Sequence, residues 1–312
     1  MNDNGKIKKK KISFNWKFNI MMAITVIVWA LAFPYIKIGL NELSFVNLTI
    51  MRFFIVTFVF LIIFFASRNY ISKLQKKDII PIFLLGFFGV ITYHLALNFG
   101  EQFISAGAAS LIIATIPIQI VIFSIFFLKE KITFKKILGV ILSFCGVIII
   151  SIWGKVDTSL EINYLYGALA VLFAASMGAA YTIFGKKFLD RYSGFSLTIY
   201  AMLLGSIGLI PFISKSLLEE VSNMSLEGWF AIIILGLFST VIGYSIWYIA
   251  LKKKKASDLG VYLYAIPVLS TIISYIMFKD KITLLFIFGG FLVISGLIIV
   301  NIEKRNIKKN QK

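Results

Sequence analysis

Ten apolar stretches, separated by short loops that hold most of the lysines, leave this chain few folds to choose from. They run Phe18–Leu40, Phe45–Ala66, Ile79–Phe99, Phe103–Leu128, Ile137–Trp153, Leu165–Phe184, Phe195–Ile213, Trp229–Leu251, Leu259–Phe278 and Ile282–Val300. About 20 apolar residues span a bilayer as a helix. A lipid-embedded backbone must satisfy its own hydrogen bonds, so only helices and closed barrels cross. Barrel strands alternate polar with apolar residues, and these stretches do not. The 59% hydrophobic content with 31 Phe exceeds the roughly 45–50% of a soluble domain. The pattern predicts an all-α integral membrane protein with ten transmembrane helices. The basic start followed by Phe18–Leu40 imitates a signal peptide, but the apolar run is too long for an h-region and is read as the first helix.

The ten stretches are five written twice. Lys129-Glu130-Lys131-Ile132-Thr133 returns as Lys279-Asp280-Lys281-Ile282-Thr283, and at the same spacing Ile116 falls on Ile266, Pro117 on Pro267, Gly86 on Gly236, Gly139 on Gly289 and Gly146 on Gly296. Apolar runs align by chance; prolines, glycines and a charged loop do not. The expected division is a first repeat over 18–153, a linker over 154–164 and a second repeat over 165–302.

Lysine and arginine mark cytoplasmic loops. With the N-terminus inside, the cytoplasmic segments hold 26 of the 32 cations and the opposite loops only Lys155, Lys215, Lys279 and Lys281. Lys37 and Arg52 lie within stretches. Both termini are therefore expected in the cytoplasm of a multi-pass cell-membrane protein. Five spans per half start the second half on the other side, so the repeats are expected to be inverted around a central cavity, an architecture of secondary transporters.

Composition also excludes. One cysteine, Cys145, and one histidine, His94, cannot form an intrachain disulfide or a Cys/His metal cluster. The formal charge of +18 sits in loops, as a membrane protein requires, and not on a soluble basic face for nucleic acid. No GxSxG, HExxH or phosphate loop occurs, so neither hydrolysis nor ATP use is expected. The chain is expected not to be an enzyme and to need no cofactor and no metal.

Arg52 is the most costly residue, since an arginine inside a span costs roughly 2.5–3.5 kcal/mol on insertion scales. It lies seven residues from the outer end of the second span, or about 10 Å deep at 1.5 Å per residue. Lys37, His94 and Asn98 fall in the same outer half, on the first and third spans. Each has a plainer reading: Lys37 snorkels to the interface, Arg52 holds helix carbonyls or pairs with Glu42 or Glu101 at the external ends, and His94 packs. No Asp or Glu lies well inside a stretch, so proton coupling through a buried carboxylate has no evident carrier. Among Trp29, Tyr35, Tyr181, Tyr244, Trp247, Tyr262 and Tyr264 most read as an interfacial belt. Trp29, at mid-span, and Tyr262 and Tyr264, ahead of Pro267, read as cavity candidates. Pro117 and Pro267 are expected to kink their helices and serve gating. The seven-residue glycine pairs, Gly139 with Gly146 and Gly289 with Gly296, are expected to let helices approach closely.

Trp29 to Lys37 with Arg52-Phe53, Ala96-Leu97 with Ser105 to Ile112 and Pro117, Glu130 with Gly139 and Gly146, and Ile266-Pro267-Val268 with Gly289 and Gly296 together resemble the EamA family of the drug/metabolite transporter superfamily, twice over. That resemblance implies ten helices, inverted five-helix halves, a central cavity lined by helices one to four and six to nine, peripheral helices five and ten, and export of amino acids or other small metabolites. Two residues depart from the pattern, Ala30 where Gly is usual and Asp280 where Glu is common. The small multidrug branch carries a glutamate in its first helix that is missing here.

The expected function is export of a small metabolite, an amino acid or related carboxylate, by alternating access. Arg52 and Lys37 would attract its carboxylate, His94 and Asn98 orient it, and Trp29, Tyr262 and Tyr264 line the cavity. Efflux of drugs or hydrophobic cations is the rival within the class, and a non-transporting sensor or scaffold the rival outside it. The expected partners are a small-molecule substrate and the lipid bilayer, without nucleic acid, and a homodimer is left open.

Overall fold

The computed structural model describes residues 16–128, 134–153, 162–254, 259, 262–263, 265–279 and 282–310. The Lys129–Thr133 phrase, residues 280–281 of its copy, Tyr264 and most of the linker lie outside them.

Among the described residues the fold is helical, with ten apolar runs. They are α1 (Trp16–Leu40), α2 (Phe45–Ala66), α3 (Ile79–Gly86 and Tyr93–Glu101, joined by a π-helical turn Phe87–Thr92), α4 (Ala106–Ile113 and Ile116–Leu128) and α5 (Phe134–Trp153) in the first half. The second half holds α6 (Ile162–Phe188), α7 (Gly194–Ile207), α8 (Leu226–Ile233 and Gly243–Lys253, joined by a π-helical turn Ile234–Ile242), α9 (Ala265–Phe278) and α10 (Leu284–Asn310). Six of these, α1, α2, α3, α6, α7 and α8, lie in helices long and apolar enough to cross a membrane unaided. Serines start several: Ser44 Oγ accepts from Asn47 N, Ser105 Oγ from Ala108 N, and Ser193 Oγ from Ser196 N, each satisfying a donor the helix cannot.

Two local features depart from the sequence reading. α4 is not one helix: it stops at Ala114-Thr115, and Pro117 is the second residue of the next segment. Proline lacks the N–H that would bond one turn back and is welcome where a helix opens, so Pro117 starts a helix rather than kinking one. Pro267 is buried within α9, where residues 262–263 and Ala265–Phe278 are helical. The other departure is a short exposed helix, Lys215–Ser222, between α7 and α8, read from the sequence as loop.

The duplication is visible in the packing. The two π turns occupy the same place in each half. Gly86 of α3 lies against α7, where an added Cβ would meet Ala201 O at 2.5 Å. Its repeat mate Gly236 of α8 lies against α2, where a Cβ would meet Arg52 O at 3.1 Å. α5 and α10 pack chiefly on each other. A Cβ on Gly146 would stand 2.5 Å from Gly289 O, and Ser143 Oγ donates to Val293 O at 3.0 Å. The glycine pairs thus serve backbone approach, as small residues do in membranes.

Candidate functional site

The π turns create the first polar feature of the interior. In α8, Thr240 Oγ1 donates to Leu235 O, five residues back, at 2.8 Å. In α3, Thr92 Oγ1 donates to Phe87 O at 2.9 Å. A widened turn releases carbonyls from the regular ladder. Ser239 O is then available to Trp29 Nε1, at 2.9 Å, while Ser239 Oγ donates to Val28 O at 2.7 Å. The same turn presents Thr240 Oγ1 to Arg52 Nε, at 2.8 Å. Arg52 is only 2% exposed, and its Nη1 has no hydrogen-bond partner among the described residues.

Arg52 borders a cavity of about 80 Å³ at the centre of the helices. Its walls are Trp29, Ala32 and Phe33 of α1, Gly89, Tyr93, His94 and Leu97 of α3, and Ser110, Ile113, Ala114 and Ile116 of α4. The other side is Gly178, Tyr181 and Thr182 of α6, Tyr244 and Trp247 of α8, and Leu263 and Ile266 at α9. Neither α5 nor α10 contributes, and α7, which the resemblance included, does not either. The aromatic rings meet edge to face. Trp29 lies 5.5 Å from Tyr244, Tyr181 5.8 Å from Tyr244, and His94 4.9 Å from Phe53, centroid to centroid. His94 Nε2 is 3.4 Å from Tyr244 Oη.

The structure brings Trp29, Arg52 and His94 to this cavity. Asn98, one turn beyond His94, donates to Thr49 Oγ1 at 2.8 Å and stands behind the wall. Lys37 is half-buried in the last turn of α1, outside the wall. Tyr262 turns away, donating to Asn19 Oδ1 at 2.7 Å and meeting the Phe18 ring edge-on. Pro117 and Pro267 flank the cavity at Ile116 and Ile266. Tyr181, Tyr244 and Trp247 belong to the wall and not to an interfacial belt. Tyr93 and the pair of buried Gln119 and half-buried Ser176, hydrogen-bonded across α4 and α6, carried no sequence signal. Tyr181 and Tyr244 had one: each falls in a helix that the repeat pairs with a wall helix, α6 with α1 and α8 with α3.

The acids also differ from expectation. Glu42 does not reach Arg52; its carboxylate accepts from Ser225 N at 2.6 Å and from Ser225 Oγ. Glu101 is fully buried, and neither oxygen has a hydrogen-bond partner among the described residues. A carboxylate does lie inside, placed there because Gly100 lets α3 close onto α6 at Gly167 and Val171.

Each end of the molecule is tied across the halves. At the lysine-rich end Asp78 pairs with Arg191 at 3.0 Å and accepts from Tyr192 Oη at 2.7 Å, while Ser193 N donates to Ser72 Oγ at 3.2 Å. At the other end Ser44 N donates to Glu220 Oε2 at 2.9 Å, beside the Glu42–Ser225 contacts. The first tie joins the α2–α3 and α6–α7 loops; the second joins the α7–α8 and α1–α2 loops. Exchanging the halves converts one into the other.

Known proteins agree with this architecture. The profile of the EamA-like transporter family matches twice, over residues 16–152 and 165–302. An uncharacterized transporter of Archaeoglobus fulgidus is 39% identical, over 92% of this chain and 99% of its own length. The uncharacterized transporter YdfC of Bacillus subtilis is 32% identical over 97% and 95%. A protein of Streptantibioticus cattleyicolor named "Probable terminal-alkyne amino-acid exporter" is 28% identical over 90% and 92%. One crystal structure shares the fold with a TM-score of 0.65 over 94% of this chain and 99% of that one, at 18% identity. With apolar helices in both halves, a central cavity lined from both and a family match in each, this chain belongs to the EamA-like transporter family and is a multi-pass membrane transporter.

Proposed function

We propose that the chain exports a small metabolite with a carboxylate, an amino acid or a close relative, by alternating access across the cell membrane. The observation that carries this reading is the unpartnered Nη1 of buried Arg52 at the edge of an aromatic cavity. A buried guanidinium with a nitrogen lacking a partner is poised for an anion, and its planar fork matches a carboxylate. The aromatic wall then takes the apolar side chain. The cavity of about 80 Å³ is well below the roughly 300–1,000 Å³ of drug-sized sites, which favours a small occupant over a lipophilic drug. The name of the Streptantibioticus relative points the same way.

In this reading both termini are cytoplasmic, on the loop charges, so the Asp78–Arg191 tie faces the cytoplasm and the Glu42–Ser225 tie faces outward. The halves 18–153 and 165–302 rock about the cavity, and each tie breaks in turn. The test is uptake of radiolabelled amino acids into proteoliposomes containing the wild type, Arg52→Ala or His94→Ala. Loss of flux is expected for Arg52→Ala and a reduced rate for His94→Ala. Flux unchanged in both would overturn the site, and no flux of any amino acid or carboxylate in the wild type would overturn the function.

A further inference from the structure

Eight buried side-chain atoms have no hydrogen-bond partner among the described residues, and five of them belong to Arg52, His94, Asn98 and Glu101. Three of these four residues, His94, Asn98 and Glu101, are spaced four and three apart on α3. That spacing puts them on one helix face, stacked from the cavity toward the end where Glu42 meets Ser225. None is more than 1% exposed. A polar atom buried without a partner loses its water and gains nothing in return, and a carboxylate loses most. A stack of such atoms is hard to account for as a permanent core.

The repeat supplies an internal control. At the 150-residue spacing His94, Asn98 and Glu101 fall on Tyr244, Tyr248 and Leu251. That face of α8 runs toward the lysine-rich end, is aromatic and apolar, and Tyr248 Oη donates to Tyr181 O at 2.9 Å. The scaffold therefore needs no polar stripe there. The stripe on α3 is an addition of the first half alone.

Its surroundings are charged from several helices. Arg52 of α2 and Lys37 of α1 are the cations whose fields reach Glu101; Arg52 also faces Tyr93 and His94 of α3 and Tyr244 of α8. Above the stripe lie the contacts that close this end, Glu42 with Ser225, Ser44 with Glu220, and Asn47 Nδ2 donating to Ser216 Oγ at 3.2 Å. Opening those contacts would admit water, and water would satisfy each orphaned atom.

We infer that the His94–Asn98–Glu101 face of α3 is the wall of the passage between the cavity and the Glu42–Ser225 end, sealed here, and that it is built for a zwitterion. The passage presents cations, Arg52 and Lys37, and a carboxylate with an amide oxygen, Glu101 and Asn98. An amino acid finds a partner for both of its charges along this route, whereas a lipophilic cation finds one at Glu101 but brings no carboxylate for the buried Arg52 guanidinium. This inference deepens the proposed function, resting on its reading of the cavity as the substrate site, and adds Glu101, to which that reading gave no role.

The test needs no substrate. In a Cys145→Ser background, single variants Asn98→Cys and Glu101→Cys are compared with Ala96→Cys and Phe99→Cys, which lie on other sides of the same helix. A membrane-impermeant sulfonated maleimide is applied to each face of sealed vesicles separately. Labelling is expected at 98 and 101 from the face carrying the Glu42–Ser225 contacts, with 96 and 99 unlabelled. In Asn98→Cys, changing Glu101→Gln is expected to lower the preference for a cationic over an anionic methanethiosulfonate by about tenfold, within the range by which a charged cleft enriches a counter-ion. Thr49→Cys, at the atom Asn98 bonds, replaces Asn98→Cys if the latter does not fold. Equal labelling at all positions, or none at 98 and 101, overturns the passage. An unchanged reagent preference overturns its charge selection. Amino-acid flux that persists alongside either result leaves the proposed function standing, while labelling as expected without any flux sinks only that function.

Discussion

Arg52 Nε donates to Thr240 Oγ1 at 2.8 Å across 188 residues of sequence, so the one arginine inside a span is held by the π turn of the other repeat. Thr240 Oγ1 in turn donates to Leu235 O, which fixes its lone pairs toward the guanidinium. The helix irregularity and the buried charge are one arrangement, and π turns of this kind recur at functional sites.

Replacing Thr240→Val is expected to remove the acceptor at nearly constant volume. A hydrogen bond to a charged group contributes about 1.5–3 kcal/mol, so thermal unfolding in detergent should fall accordingly and flux should fall with it. Thr240→Ser should restore both. Equal stability of the Val and Ser variants would show that Arg52 does not depend on this contact.

Gly89 tests the cavity wall. An added Cβ would overlap the Tyr181 ring, so Gly89→Ala must push the ring into the cavity or part α3 from α6. Transport is expected to drop sharply while the protein remains folded, and the double change with Tyr181→Leu should recover part of it. Normal flux in Gly89→Ala alone would mean Tyr181 does not shape the site.

The α5–α10 pair should behave differently. Gly146→Val places side-chain atoms against Gly289 O, an overpacking that costs about 1–3 kcal/mol. The melting temperature should fall, yet the KM of the folded fraction should match the wild type, because neither helix touches the cavity. A changed KM with unchanged melting would contradict the division of labour.

Alternating access requires each tie to open. Linking Ser72→Cys to Ser193→Cys, where Ser193 N donates to Ser72 Oγ, should stop transport when oxidised and release it on reduction. Asp78→Asn, which removes the charge partner of Arg191, should favour opening at the lysine-rich end and speed thiol labelling of a cysteine placed at Thr182. Full transport by the oxidised double variant would exclude opening at that end.

Much of the fold was legible beforehand because lipid imposes a simple rule on the chain. Apolar stretches had to become helices, and the bounds of α2, Phe45–Ala66, coincide with the stretch read from sequence. Gly139, Gly146, Gly289 and Gly296 announced a close helix approach because a small residue permits it, and the structure supplied the partner by packing α5 on α10. Arg52 announced itself by the cost of placing a charge in lipid.

What the sequence determined by itself was the solvent, the helical class, the twofold repeat and the family, since each follows from local composition or from spacing along the chain. Which side chains share a cavity followed only from the tertiary structure. Tyr181 and Tyr244 look like interfacial aromatics until α6 and α8 turn them inward, and Tyr262 looks like a wall residue until Asn19 takes its hydroxyl. Glu101 reads as the end of a helix, where water would be expected. It is buried because Gly100 draws α3 against α6, and burial depends on a partner that lies far away along the chain.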